Sequence, residues 1–273
     1  MNFKKVFFSI VIFTLFSSLT FFFIDKFTNL KVEANKEYQD KIEEKKITKT
    51  IKEYLAKKGF DLDLKEEDLL NIYWAERVKD GGLILLFRHS EREKWDNSVE
   101  AFDTIELKNN LDARTTSWQS ATCLTKKGVE ESKLISEAFK HANIKIGLVA
   151  SSPSCRAKET ALYAFNKIDY FFNGLLHYSA FHPSDRKKIG IQLKKAILNL
   201  NEEKSSNIIL SAHNKVISYY SLIDKMEVEE GLQESGFYII EKKQEKLITR
   251  YKFSKIKNFI TLLYRHDFKI TKP

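Results

Sequence analysis

The chain has 273 residues, 43% hydrophobic and 30% charged, with 9 Gly and 3 Pro. That balance belongs to a folded globular protein and excludes disordered, collagen-like and loop-dominated classes. Its formal net charge of +9 comes from lysines spread along the chain, without an arginine-rich tract or a recognisable reading module. No nucleic-acid partner is expected, whereas anionic membranes and anionic small molecules are favoured.

Residues 6–24, VFFSIVIFTLFSSLTFFFI, carry no charge and follow Lys4 and Lys5. A helix of that length rises about 28 Å, near the hydrocarbon thickness of a bilayer. Phe21 to Ile24 run straight into Asp25 with no small-residue cleavage site, so the segment reads as an uncleaved anchor and not as a signal peptide. Lys4 and Lys5 keep residues 1–5 in the cytoplasm. The remainder then lies across the inner membrane, in the periplasm of a bacterium, where disulfides persist. Cys123 and Cys155 match no zinc spacing. A bridge between them and two free buried thiols both stay open.

Residues 25–80 read as a helical stalk. Ile47, Ile51, Tyr54 and Leu55 predict an amphipathic helix ending near Gly59. Asp63 followed by Glu66 predicts a capping box for a second helix through Tyr73 and Trp74. The character changes after Gly81 and Gly82, and residues 81–273 read as the main domain. LILLF (83–87), KIGLVA (145–150) and NIILSA (207–212) are short continuous apolar runs, the pattern of strands buried on both faces. Helices are expected from Thr125, as N-cap, to His141, from Pro153 to Phe165, at about 186–200 and from Lys215 to Lys225. FYIIEKK and KLITRYKF (237–243 and 246–253) predict a hairpin at the sheet edge. The order predicts an α/β fold, a three-layer α/β/α sandwich with a mainly parallel sheet.

Three segments carry the chemistry, each directly after a core strand. LLFRHSER places Arg88, His89 and Arg92 after the first, SSPSCRAKETA places Arg156 after the second, and ILSAHN places His213 after the third. In open α/β sheets ligands bind outside the carboxyl ends of the strands, so these groups are expected to share one crevice. Guanidinium forks match phosphate oxygens. A histidine among them has its protonated form disfavoured, which leaves a ring nitrogen able to attack phosphorus. No cofactor and no metal is expected, since neither a carboxylate-rich magnesium site nor a zinc spacing is present.

From about Leu83 to His213 these motifs resemble the histidine phosphatase superfamily, also called phosphoglycerate mutase-like. The resemblance implies that Arg88, Arg156 and His213 hold phosphate, that His89 is transiently phosphorylated, and that Arg92 is a further contact. Residues 81–273 are then the catalytic domain. Arg88-His89-Ser90-Glu91-Arg92 with His213-Asn214 is similar to single-pass periplasmic members, among them the lipopolysaccharide core heptose phosphatase. That likeness implies a phosphomonoesterase acting on a phosphorylated small molecule or an envelope glycolipid. Asn214 stands where acid phosphatases carry Asp, so the general acid stays open among Glu91, His177 and Asp185. The alternatives are a phosphate-binding scaffold without turnover and a protein phosphohistidine phosphatase, which needs a cytoplasmic domain.

Overall fold

The computed structural model describes residues 48–93, 122–200 and 203–264. The expected anchor at 6–24 lies outside them, and among the described residues no helix is long and apolar enough to cross a membrane. The chain forms two compact units, one ending at Leu69 and the other starting at Leu70, eleven residues before the expected boundary at 81.

In the first unit, residues 48–57 are helical. Gly59 ends the helix in the left-handed region, at φ 78°, where the chain lacks a Cβ penalty. The Phe60 amide donates back to the Leu55 carbonyl at 3.1 Å. The expected cap Asp63 lies three residues before the first helical residue, Glu66, and its amide donates to Asp61 Oδ1 at 2.9 Å, an Asx turn closed by the Asp61 side chain. Helix α1 (Glu66–Asp80) starts after it.

The second unit is built on a seven-stranded sheet of order β3-β2-β4-β1-β6-β7-β5. The strands are β1 (Ile84–Arg88), β2 (Ile146–Ser151), β3 (Tyr170–Phe171), β4 (Asn207–Ala212), β5 (Lys225–Met226), β6 (Phe237–Lys243) and β7 (Lys246–Phe253). Four pairings are parallel and two, β1 with β6 and β6 with β7, are antiparallel. Because β1 and β4 have a neighbour on each side, their apolar runs feed both faces. Leu83, Leu85, Phe87 and Ile209 join one core cluster, while Ile84, Leu86, Ile208 and Leu210 join another. The first is covered by α1, α2 (Lys126–His141), α3 (Cys155–Phe165) and the last helix, α6 (Ile256–Tyr264). The second is covered by α4 (Pro183–Leu198) and α5 (Val216–Tyr219).

Thr125 is the N-cap of α2, its hydroxyl accepting from the Gly128 amide at 3.0 Å. Four sequence expectations shift. Helix α3 has Ser154 at its N-cap position, without a side-chain capping bond, and Pro153 before it. Helix α4 starts at Pro183 with His182 as its N-cap, ahead of the expected residue 186. The helix expected over 215–225 is the single turn α5, because Ser221 turns left-handed at φ 50° and brings Leu222 into the core. The hairpin is not at the edge, since β5 pairs with the outer side of β7.

Phe87 is fully buried, with its ring stacked on Phe237 at 4.6 Å and edge-on to Phe165 at 5.3 Å. Phe87→Ala is expected to lower the unfolding free energy by about 3–5 kcal/mol, measured by urea titration with an unchanged slope. A loss below about 1 kcal/mol would mean that β1 is not the packing centre.

Candidate active site

The three central parallel strands end side by side. Phe87 and Ser151 both pair with Ser211, and Arg88 pairs with Ala212, so the residues that follow β1, β2 and β4 emerge together. His89 is anchored by its amide to the Ala212 carbonyl at 3.0 Å, and its own carbonyl accepts from the Ser235 amide at 3.1 Å. Its ring is buried, and His213, also buried, meets it edge-on with centroids 5.3 Å apart.

The tautomer of His89 follows from its partner. Nδ1 lies 2.9 Å from the Ser90 carbonyl; a carbonyl only accepts, so Nδ1 carries the proton and Nε2 carries a lone pair. Burial holds the His89 pKa well below 6.5, and the charges of Arg156, Arg88 and Arg92 lower it further. The ring is a neutral base at neutral pH.

Ser90 fixes this geometry from behind. Its amide donates to Thr160 Oγ1 at 2.9 Å, and that hydroxyl donates one turn back to the Arg156 carbonyl at 2.8 Å. Its own hydroxyl meets Ser132 Oγ and Ser235 Oγ, each at 2.8 Å. Ser235 Oγ also lies 2.9 Å from Glu131 Oε2. Helix α2 approaches closely here, since a Cβ on Gly128 would collide with the Glu91 carbonyl.

His213 is oriented by hydroxyls. Nε2 lies 2.9 Å from Ser154 Oγ and 3.2 Å from Ser152 Oγ, and Ser152 Oγ donates to Ser154 Oγ at 3.2 Å. Nδ1 is buried without a hydrogen-bond partner among the described residues. With the Ser154 hydroxyl donating to Nε2, Nδ1 bears the proton and can give it to a bound anion. Burial, then Arg156, keeps the His213 pKa well below its ordinary value.

The arginines converge. Arg156 is buried at the second position of α3, and its charge acts on His89, His177 and His213. Arg88 donates through Nη1 to the Leu232 carbonyl at 2.7 Å, and Nη2 lies 3.6 Å from Glu234 Oε1. Arg92 donates to the Glu93 carbonyl at 2.9 Å, and its charge is felt at His89 and His177. Of the three acid candidates, His177 lines the pocket, edge-on to His213 at 5.8 Å. Glu91 is turned to the start of α2, where its carboxylate pairs with Lys127 and accepts from Thr125 Oγ1. Asp185 is exposed in the first turn of α4.

The sequence reading missed the supporting hydroxyls of Ser132, Ser154, Thr160 and Ser235, and the carboxyls Glu131 and Glu234. The run Ser151-Ser152-Pro153-Ser154 was a signal for the His213 hydroxyls. Glu234 carried none, yet it faces Arg88, and burial raises its pKa despite that cation.

Cys123 and Cys155 form a disulfide with Cα atoms 5.0 Å apart. It joins Cys155, beside Arg156, to a segment whose Leu124 forms a β-bridge with Arg92. A carboxylate oxygen of Glu159 lies within 4.8 Å of these sulfurs, a grouping of metal-ligand type. The sulfurs are joined to each other, however, and Glu159 Oε2 accepts from the Leu124 amide at 2.8 Å, so the group acts as a clamp between two arginine-bearing segments.

No family model matches the chain, and no curated protein matches it. Solved structures that resemble it include several described as phosphatases. The protein histidine phosphatase SixA complexed with tungstate has 14% identity and a TM-score of 0.43, covering 63% of this chain and 96% of its own. YhfR of Bacillus stearothermophilus has 13% identity and a TM-score of 0.43, covering 65% and 98%. Phosphoserine phosphatase from Entamoeba histolytica has 14% identity and a TM-score of 0.39, covering 63% and 97%. At such likeness, what this chain does is read from its own residues.

Two outcomes are expected. The disulfide closes a 32-residue separation, so replacing both cysteines with serine is expected to lower stability by about 3–4 kcal/mol, measured by urea titration; no change would remove the clamp. The second concerns pH. Burial and then Arg156 lower the His177 pKa from 6.5 to about 4, and those of His89 and His213 are also depressed. As pH falls through 6.5 the unfolded chain takes up these protons first, so stability present at neutral pH is lost between about 6.5 and 4. Urea titrations should show this decline, with a shallower slope in His177→Ala; equal slopes would contradict the assignment.

Proposed function

We propose that the chain is a membrane-anchored phosphomonoesterase acting through a phosphohistidine on His89. The observation that carries the reading is the buried His89 ring, with Nδ1 committed to the Ser90 carbonyl and Nε2 left as a lone pair beside arginines. A phosphoryl group held by Arg88, Arg92 and Arg156 would present phosphorus to Nε2. The N–P bond forms as the ester P–O bond breaks, and the arginines with His213 Nδ1–H stabilise charge on the phosphoryl oxygens. Water then attacks the phosphohistidine, passing one proton to the group that protonated the leaving oxygen, and the N–P bond breaks to release phosphate and neutral His89.

We assign the leaving oxygen's proton to His177, the acid candidate that lines the pocket. Burial and then the arginines depress its pKa to about 4; a phosphate dianion would neutralise the arginines, so substrate binding itself raises its proton affinity. Arg88 would exchange Glu234 for a phosphoryl oxygen. Residues 6–24 would hold the domain at the periplasmic face of the inner membrane, which suits a sugar phosphate of an envelope glycolipid, as in the heptose phosphatase resemblance.

The test is phosphate release by the full chain in detergent from a panel of aryl and sugar phosphates, with EDTA present. Turnover is expected to persist in EDTA and to fall at least about 10³-fold in His89→Ala. His177→Ala should lose more rate on sugar phosphates than on an activated aryl phosphate, whose leaving group needs no proton. Binding of inorganic phosphate without turnover of any ester would replace this reading with the phosphate-binding scaffold.

A further inference from the structure

Arg88 leaves the end of β1 in the grip of the turn that precedes β6. Its amide donates to the Gly236 carbonyl at 2.9 Å, and its Nη1 donates to the Leu232 carbonyl at 2.7 Å. The turn over residues 233–236 is closed by the Gly236 amide on the Gln233 carbonyl at 3.0 Å. Ser235 stands in it at φ 65°, a conformation unfavourable to a residue with a Cβ. Two bonds hold it there, from its amide to the His89 carbonyl at 3.1 Å and from its hydroxyl to Ser90 Oγ at 2.8 Å. The turn and the loop carrying His89 are thus fixed to each other, and the turn sets Glu234 against the Arg88 guanidinium.

One edge of that guanidinium is unspent. Arg88 Nε is buried with no hydrogen-bond partner among the described residues. Nη2, on the same edge, has Glu234 Oε1 at 3.6 Å, well beyond the roughly 2.7–2.9 Å of a charge-assisted hydrogen bond. The carboxylate faces the fork without closing it. Burial raises the Glu234 pKa, and Arg88 and then Arg92 offset this only in part, whereas a carboxylate bonded to a guanidinium has its pKa lowered. An anion giving one oxygen to Nε and one to Nη2 would satisfy the buried donor that Glu234 leaves unmet.

From this loose pairing we infer that Glu234 is a resident competitor for Arg88, displaced when a phosphoryl group takes the fork and restored when phosphate leaves. It thereby sets the affinity of the pocket for phosphate. Three arginines arranged for a phosphoryl dianion also hold the inorganic phosphate that the second step releases. A carboxylate that regains Arg88 weakens that hold without entering the bonds that form and break. That phosphate is the displaced anion rests on the function proposed above; the loose pairing with Arg88 does not. A Glu234 that only positioned Arg88 would act in the opposite sense, since its removal would free the guanidinium to wander and weaken anion binding.

The experiment titrates the full chain in detergent with inorganic phosphate, by calorimetry at neutral pH. Glu234→Gln is expected to bind phosphate about fivefold more tightly than wild type, the size of one partly exposed ion pair. Glu234→Asp keeps the charge but draws it back from Arg88, and its affinity should fall between the two. Unchanged or weaker binding in Glu234→Gln would overturn the competitor. So would an Asp variant that matches wild type while the Gln variant tightens, because the effect would then come from net charge and not from contact with Arg88. If Glu234→Gln does not fold, the Asp variant decides alone: tighter binding than wild type supports the competitor, and equal or weaker binding overturns it. Because binding needs no turnover, tightening without hydrolysis of any ester sinks the phosphatase reading and leaves the competitor. Hydrolysis without tightening does the reverse, and no phosphate binding by wild type or Glu234→Gln overturns the competitor.

Discussion

The hydrogen bond from His89 Nδ1 to the Ser90 carbonyl, 2.9 Å long, decides what the other groups in the pocket can do. With that nitrogen committed as donor, the remaining ring nitrogen has a lone pair and one direction in which to use it. Burial and three arginines make the protonated ring costly, so the lone pair survives at neutral pH. The same arginines are only comfortable at close quarters when an anion sits among them. A pocket of this kind is poised for a dianion before it meets one, and this preorganisation is what electrostatic catalysis requires.

Holding that bond in place demands more than the motif residues. Ser90 is tied to α3 through Thr160, to α2 through Ser132, and to the loop before β6 through Ser235. Each of these hydroxyls is buried, and a buried hydroxyl without a partner would cost about 1–3 kcal/mol. The network therefore resists any movement of Ser90 that breaks one link. The Cys123–Cys155 bridge adds a covalent constraint on the far side, between the segment paired with Arg92 and the helix that begins beside Arg156. Strand register, hydroxyl network and disulfide all act on one loop of a few residues.

Much of this was legible in the sequence for a simple reason. Strands buried on both faces must be apolar throughout, so β1 and β4 announce themselves as LILLF and NIILSA, while β2, expected from KIGLVA to be buried as well, is buried only over Val149–Ser151; each is displaced by one residue at most. Residues that follow such strands in a parallel sheet share one end of it, which is why Arg88, His89, Arg156 and His213 are brought together. What was not legible depended on contacts distant in sequence. Asp63 has the composition of a cap, but the helix starts at Glu66 and the Asp63 amide closes an Asx turn on Asp61. Lys215 to Lys225 has helical composition, yet Ser221 turns left-handed and the chain dives into the core. Glu91 looked like an acid because it adjoins His89, and only the approach of α2 shows its carboxylate spent on Lys127 and Thr125. Glu131, Ser235 and Glu234 sit on elements that no local pattern links to His89.

The central claim is that phosphate passes through Nε2 of His89, and the direct measurement is the chemistry of the trapped protein. The full chain is mixed with a 32P-labelled phosphomonoester, quenched in alkali within a turnover and digested. Label stable to alkali but released by acid, on the peptide carrying His89 and at Nε2 by nuclear magnetic resonance, is the result this account predicts. Label on Nδ1 or on another residue would contradict the tautomer from which the account is built, as would turnover with no trapped phosphate at any quench time.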